Sequence, residues 1–128
     1  MIVAGIGCRK GVGEKDVLGA IAACLAEHRL DLVELAALAT AKLKQHEEAI
    51  FSAARRLGLA VIVVGDEELA AAGKQTISHS ELSLTMTGAP SVSEAAAIAA
   101  AGAGARLLGP RIVLNSVTCA LATNGEAQ

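Results

Sequence analysis

Tryptophan and tyrosine are absent from this sequence, and Phe51 is its only aromatic residue. Proteins that hold single-stranded nucleic acid stack bases on aromatic rings, so that class is excluded. A basic excess is lacking too, with a formal net charge of -2. Phosphate-driven nucleic-acid binding calls for a basic field or stripe, and neither is present. An anionic ligand must therefore be held by a few local groups. Long apolar runs are missing as well. The most apolar stretch, 91–105, is short for a membrane span and is interrupted by Glu94 and two glycines. The N-terminal MIVAGIG has no charged residue ahead of its apolar part, so no secretory signal is expected. The three cysteines, Cys8, Cys24 and Cys119, are odd in number and include no close pair. Reduced thiols in the cytoplasm are expected, with no disulfide framework and no metal site.

What the sequence does have is alanine, with leucine, valine and isoleucine, in a chain of 128 residues. That length suits one domain, expected over 1–123 with a frayed tail at 124–128. Alanine-rich helices approach a sheet closely, so thin, tightly packed layers are expected.

The apolar run Ile2 to Ile6 predicts a buried strand, and the glycine-rich stretch Gly5 to Gly13 predicts the loop that follows it. Helical spacing of Leu18, Ile21 and Leu25 predicts a helix over 14–27, with Glu14 and Asp16 in its first turn and His28 and Arg29 at its end. A strand is expected over 32–40, a helix over 47–57 capped by Gly58, and a strand over 60–64. Asp66 is placed to N-cap a short helix through Ala72. Residues 73–90 are irregular. Ser91 and Glu94 have capping-box spacing and open a helix through Ala101, ended by Gly102 and Gly104. Strands over 106–109, 112–114 and 117–122 complete the pattern. Alternating strands and helices are the order of a wound α/β sheet, and Pro110 with the close-spaced final strands makes a mixed, mainly parallel sheet the expectation.

The loop GIGCRKGVG carries the strongest local signal. Its glycines let the backbone turn N–H groups toward an anion, and the helix start beyond it adds partial positive charge. Arg9 and Lys10 would add charge-assisted hydrogen bonds, worth roughly 1.5–3 kcal/mol each if desolvated. The plainer reading is a tight turn with two solvated cations. Neither well-known phosphate motif fits. A P-loop needs Gly-Lys-Ser/Thr, whereas Gly11 is followed by Val12. The dinucleotide fingerprint needs its third glycine one place earlier than Gly11, although Glu34 could mimic its ribose-binding acid. No cofactor is expected on this pattern, and a nucleotide-binding module stands as a third-ranked reading.

Cys8 lies in this loop beside Arg9, a setting that favours thiolate, but it has no histidine neighbour to serve as base. His28, His46 and His79 are far apart and lack metal-ligand spacing. His28 reads as a helix-end cation, His46 as an exposed residue, and His79 stays open. Lys42 and Lys44 alternate ahead of Glu47, either as one basic face or as a solvated loop. The run from Thr87 to Ser91, with Gly88 inside it, sets a second helix start among small residues, suited to a second anionic group. Arg106 and Arg111 flank an apolar run, as surface charges or carboxylate clamps.

Taken together, GIGCRKG, the Thr40–Lys44–Glu47 segment, Gly88-x-x-Ser91-Val-x-Glu-Ala-Ala, and Gly-Ala-Arg-Leu-Leu-x-Pro-Arg111 with Thr118 resemble one family. It comprises CobE and the C-terminal domain of CbiG, proteins of cobalamin biosynthesis. The resemblance spans nearly the whole chain, and its length is that of the stand-alone members, with no added domains expected. It implies an α/β/α domain that holds or acts on corrin-ring precursors, which are macrocycles with many carboxylates, in concert with other enzymes of the pathway. The implied ligand-binding set is Gly5, Gly7, Cys8, Arg9, Lys10, Gly11, Thr40, Lys44, Glu47, Gly88, Ser91 and Arg111. One departure stands out: the family often has an acid two places before the lysine matching Lys44, and here that place holds Lys42. CbiG is associated with opening a ring lactone and losing a two-carbon fragment. That hydrolysis is not carried over, because no nucleophile–base pair is visible. Two readings follow. The first is binding of a precorrin-type intermediate to protect or pass it on. The second is an enzyme acting on it, with Cys8, His79 or Glu47 in the chemistry.

Overall fold

Residues 2–8, 11–42, 47–72, 92–102 and 104–124 are described by a computed structural model of the chain. Strand β1, Ile2–Cys8, is followed by helix α1, Glu14–Glu27, strand β2, Leu35–Ala41, helix α2, Glu48–Leu57, and strand β3, Ala60–Val64. Helices α3, Asp66–Ala72, and α4, Val92–Ala101, precede the short strands β4, Arg106–Leu107, and β5, Ile112–Leu114, and the long β6, Val117–Thr123. The strands form one six-stranded sheet in the order β3-β2-β1-β6-β4, with β5 also on β6. β1, β2 and β3 are parallel, and β6 runs against β1, β4 and β5. The sheet is mixed, as the sequence predicts, and β6 is the strand that reverses.

The two faces are built differently. Beneath α1 and α2 the core is thick, with Ile6, Ile21, Leu38, Ile50 and Leu121 fully buried. Each such side chain contributes about 1.5–3 kcal/mol through burial. Beneath α3 and α4 the face is thin, built from Val3, Ala39, Ala122 and the alanines of α4. Gly5 makes that thinness possible: a Cβ there would lie 1.9 Å from the Ser93 carbonyl oxygen and 2.7 Å from the Ala97 nitrogen. The close approach expected of alanine-rich layers is therefore met by backbone on backbone.

Several boundaries differ from the sequence expectation, each for a visible reason. β1 continues through Cys8, so Gly5 and Gly7 lie in a strand and not in the loop; β6 pairs with it residue by residue from Ile2↔Thr123 to Cys8↔Val117. Leu32–Glu34 is a turn of 3-10 helix, not strand. The Asp31 N–H donates to the Glu34 carboxylate at 2.9 Å and the Glu34 N–H to the Asp31 carbonyl at 3.0 Å, which closes the turn before β2 begins. Asp66 is the first helical residue of α3 and not its N-cap, since the Leu69 N–H donates to the Gly65 carbonyl at 2.9 Å. The strand expected over 106–109 ends at Leu107.

Helix ends follow the expected chemistry with one exception. α2 ends on Gly58 at φ 74, a left-handed position that glycine adopts without strain. α1 ends in the same geometry, with the Leu30 N–H bonded to the Leu25 carbonyl at 2.9 Å and the Arg29 N–H to that of Ala26 at 3.1 Å. Here the left-handed residue is Arg29, at φ 56. Arg29→Gly is expected to raise stability by about 0.5–1 kcal/mol, the side-chain strain relieved less the added freedom of the unfolded chain. An unchanged or lower urea midpoint would refute this.

Candidate functional site

Each strand–helix unit of this fold places a strand's C-terminal end beside a helix's N-terminal end. β1 leads to α1, β2 to α2, and all three parallel strands end at one edge of the sheet. α4 starts at that edge too: the backbone nitrogen of Ser93 lies 3.9 Å from where a Gly7 Cβ would be. After β3 the chain crosses the opposite face and returns to β1's other side as β6. The edge is therefore a topological switch point, where open α/β sheets hold their ligands. The N-termini of α1, α2 and α4 all lie at that edge, each with the partial positive charge of a helix start.

Two hydroxyl groups close the end of β1. Thr40 Oγ1 donates to the Ile6 carbonyl at 2.9 Å, and Thr118 Oγ1 donates to the next carbonyl, that of Gly7, at 3.2 Å. Thr40 is fully buried, so its hydroxyl serves to tie β2 to β1; Thr118, half-buried on β6, reaches the same edge from the other side. A Gly7 Cβ would fall 2.7 Å from the Thr118 hydroxyl, so glycine keeps that space clear. Cys8 ends β1 half-buried and packs toward the α1 and α2 core. Gly11 turns the loop with φ 86, in open surroundings. Glu47 is half-buried immediately before α2, its carbonyl accepting the Ile50 N–H at 3.1 Å. Lys42, at the exposed end of β2, stands on the same edge. Arg9, Lys10, Lys44, His46, His79, Gly88 and Ser91 lie outside the described residues.

The starts of α1 and α2 are tied together. Ser52 donates a hydrogen bond to Glu14 Oε1, and Arg56 Nε donates to Glu14 Oε2 at 2.7 Å. The Ser52 hydroxyl first, and the Arg56 guanidinium second, hold the Glu14 carboxyl below its ordinary value of 4.5. A carboxyl with a lowered folded-state pKa stabilises the fold above its unfolded value, and that contribution is lost as pH falls through the folded value. Glu14→Gln is expected to flatten the fall of melting temperature on acidification below about pH 4.5. Parallel curves for the variant and wild type would contradict this.

Three further titratable residues belong to the packing. His28 sits at the C-terminal end of α1, away from the edge, with its ring against Gly109. Cys24 donates from Sγ to the Cys119 carbonyl at 3.4 Å, and both thiols are buried and free. Hydrogen bonding to Cys24, together with burial, pushes the Cys119 thiol well above its ordinary range. A thiol raised in this way is a poor nucleophile. Among the described residues no group of histidine, cysteine, aspartate and glutamate could hold a metal, and no helix is long and apolar enough to cross a membrane.

Glu94 has a role beyond the capping-box spacing, whose Ser91 partner lies outside the described residues: the side chain is fully buried and its Oε2 accepts the Arg111 N–H at 2.9 Å. The available signal was a lone acid in VSEAAAIAAA, an otherwise apolar helix.

Fold and edge together define a layered α/β domain with its parallel strand ends and helix starts gathered at one edge of the sheet. Residues 2–122 match the family model described as cobalamin synthesis G C-terminus, and the chain belongs to that family. Solved structures agree. CobE, described as a protein from the cobalamin (vitamin B12) biosynthetic pathway, is 34% identical, with a TM-score of 0.88 over 95% of this chain and 89% of that one. Cobalamin biosynthesis protein chiG from Agrobacterium tumefaciens str. C58 is 44% identical, with a TM-score of 0.80 over 98% of this chain and 100% of that one. A cobalamin biosynthesis protein G homolog from Sulfolobus solfataricus shares the fold at 22% identity and a TM-score of 0.70, over 96% of this chain and 36% of that one. No curated protein matches the sequence.

Proposed function

We propose that this cobalamin-biosynthesis protein binds a polycarboxylate tetrapyrrole intermediate of the precorrin type at the carboxyl-terminal edge of β1–β3, and protects it or passes it to another enzyme of the pathway. The convergence of three helix N-termini at the switch point carries this reading. A macrocycle bearing several carboxylates needs separated, local donors, and a chain of net charge -2 offers those in place of a broad basic field. Lys42 and the half-buried Arg111 add cationic side chains to the backbone groups. Gly7 and Gly11 contribute space and a turn, Cys8 and Glu47 border the edge, and Arg9, Lys10, Lys44, Gly88 and Ser91 are assigned to the same ligand on the family pattern.

Anaerobic titration of the purified protein with a precorrin-type intermediate tests this. A shifted absorption spectrum and a raised melting temperature are expected, because a ligand that binds only the folded state stabilises it. If neither changes, the reading fails. Mass spectrometry and spectroscopy of the released tetrapyrrole separate binding from catalysis: unchanged mass and ring chemistry support a carrier, and a change in either an enzyme.

A further inference from the structure

Glu94 is 0% exposed in a helix whose other buried positions are serine, alanine and isoleucine. Burying an ionisable side chain is costly unless its oxygens find hydrogen-bond donors. One such donor lies in the loop before β5, where the carboxyl group accepts the Arg111 N–H at 2.9 Å. Pro110 has no N–H and a fixed φ, so this bond fastens the first amide that follows it. Ile112 packs into the thick core under α1, while the Arg111 N–H meets α4 on the other face. The register sets its height. Ile112 is opposite Cys119, which is opposite Ile6, so Arg111 stands level with Gly5, where α4 lies on β1, and its long side chain spans the distance to the strand ends. Among the described residues the Arg111 guanidinium makes no ion pair.

We propose that Glu94 is a positioning residue: by holding the Arg111 amide it sets the guanidinium alongside the start of α4, where it meets a carboxylate of the ligand. This rests on the polycarboxylate reading above and adds the residue that fixes one of its cations. Buried partners of this kind hold a binding side chain in its working geometry.

The test is a fluorescence titration of the full chain with two stable tetrapyrroles, the octacarboxylate uroporphyrin and the tetracarboxylate coproporphyrin. Wild type is expected to bind uroporphyrin more tightly. Glu94→Gln keeps an oxygen acceptor for the Arg111 N–H and is expected to bind as wild type does. Glu94→Met has no such acceptor and is expected to bind uroporphyrin roughly tenfold more weakly, as is Arg111→Ala. The double variant Glu94→Met/Arg111→Ala is expected to be no weaker than either single one, since both changes remove the same contact. If the methionine variant does not fold, Glu94→Asp, which draws the carboxyl back by one methylene, replaces it with the same expected loss. Wild-type affinity in a folded Met or Asp variant, or losses that add in the double variant, would overturn the positioning role alone. A wild-type chain that binds neither tetrapyrrole would overturn the polycarboxylate reading together with it.

Discussion

Gly5→Ala is expected to cost this domain about 3 kcal/mol or more, over half of the total stability if the wild type lies at the low end of the usual range. The added methyl group would sit 1.9 Å from the Ser93 carbonyl oxygen and 2.7 Å from the Ala97 nitrogen. Both are backbone atoms of α4, so no rotamer change relieves the clash. The helix must lift from the sheet, and every alanine contact along the thin face loosens with it. Gly19→Ala is the fitting control. Its methyl group would meet Leu114 Cδ2 at an ordinary 3.8 Å, inside a helix where alanine is favoured by about 0.5–1 kcal/mol. Urea denaturation should therefore move the two variants in opposite directions. A Gly5→Ala midpoint equal to that of wild type would show that α4 does not lie so close.

Glu94→Ala is the second large effect. It leaves a space inside the α4 layer and takes the acceptor from the Arg111 N–H. Truncating a buried side chain and orphaning a backbone donor together cost about 2–4 kcal/mol. Glu94→Gln, which fills the space and offers an oxygen, is expected to recover most of that. Thermal melts of the two variants decide the matter: equal losses would mean that the hydrogen bond to Arg111 contributes little and that the charge itself is what the fold needs.

The regular parts of the fold are written in local patterns. Ala60–Val64, Ile112–Leu114 and Glu14–Glu27 fall where their apolar spacing and flanking residues put them. Gly58 caps α2 as its position after Leu57 implies. What local pattern does not carry is partnership. The glycines of GIGC look like a loop when read along the chain, yet β6, more than a hundred residues later, pairs with all of Ile2–Cys8 and keeps them in the sheet. Gly5 is a glycine because α4 lies on it, a fact that belongs to two segments at once. Glu94 fits the spacing of a helix start, and only the tertiary contact with Arg111 shows its further use. The candidate edge was half legible for the same reason. Its glycines and helix starts mark it in sequence, but Thr118 acquires its place through the antiparallel return of β6, which the local pattern of 117–122 does not announce.

The thin face under α4 has a mechanical side. Large interlocking side chains resist sliding because each knob must climb out of its hole. Backbone lying on glycine and alanine has few knobs, so the contact between α4 and β1 is expected to resist separation more than sliding. The bond from Glu94 to the Arg111 N–H ties the start of α4 to the loop before β5 and so works as a pin against that sliding.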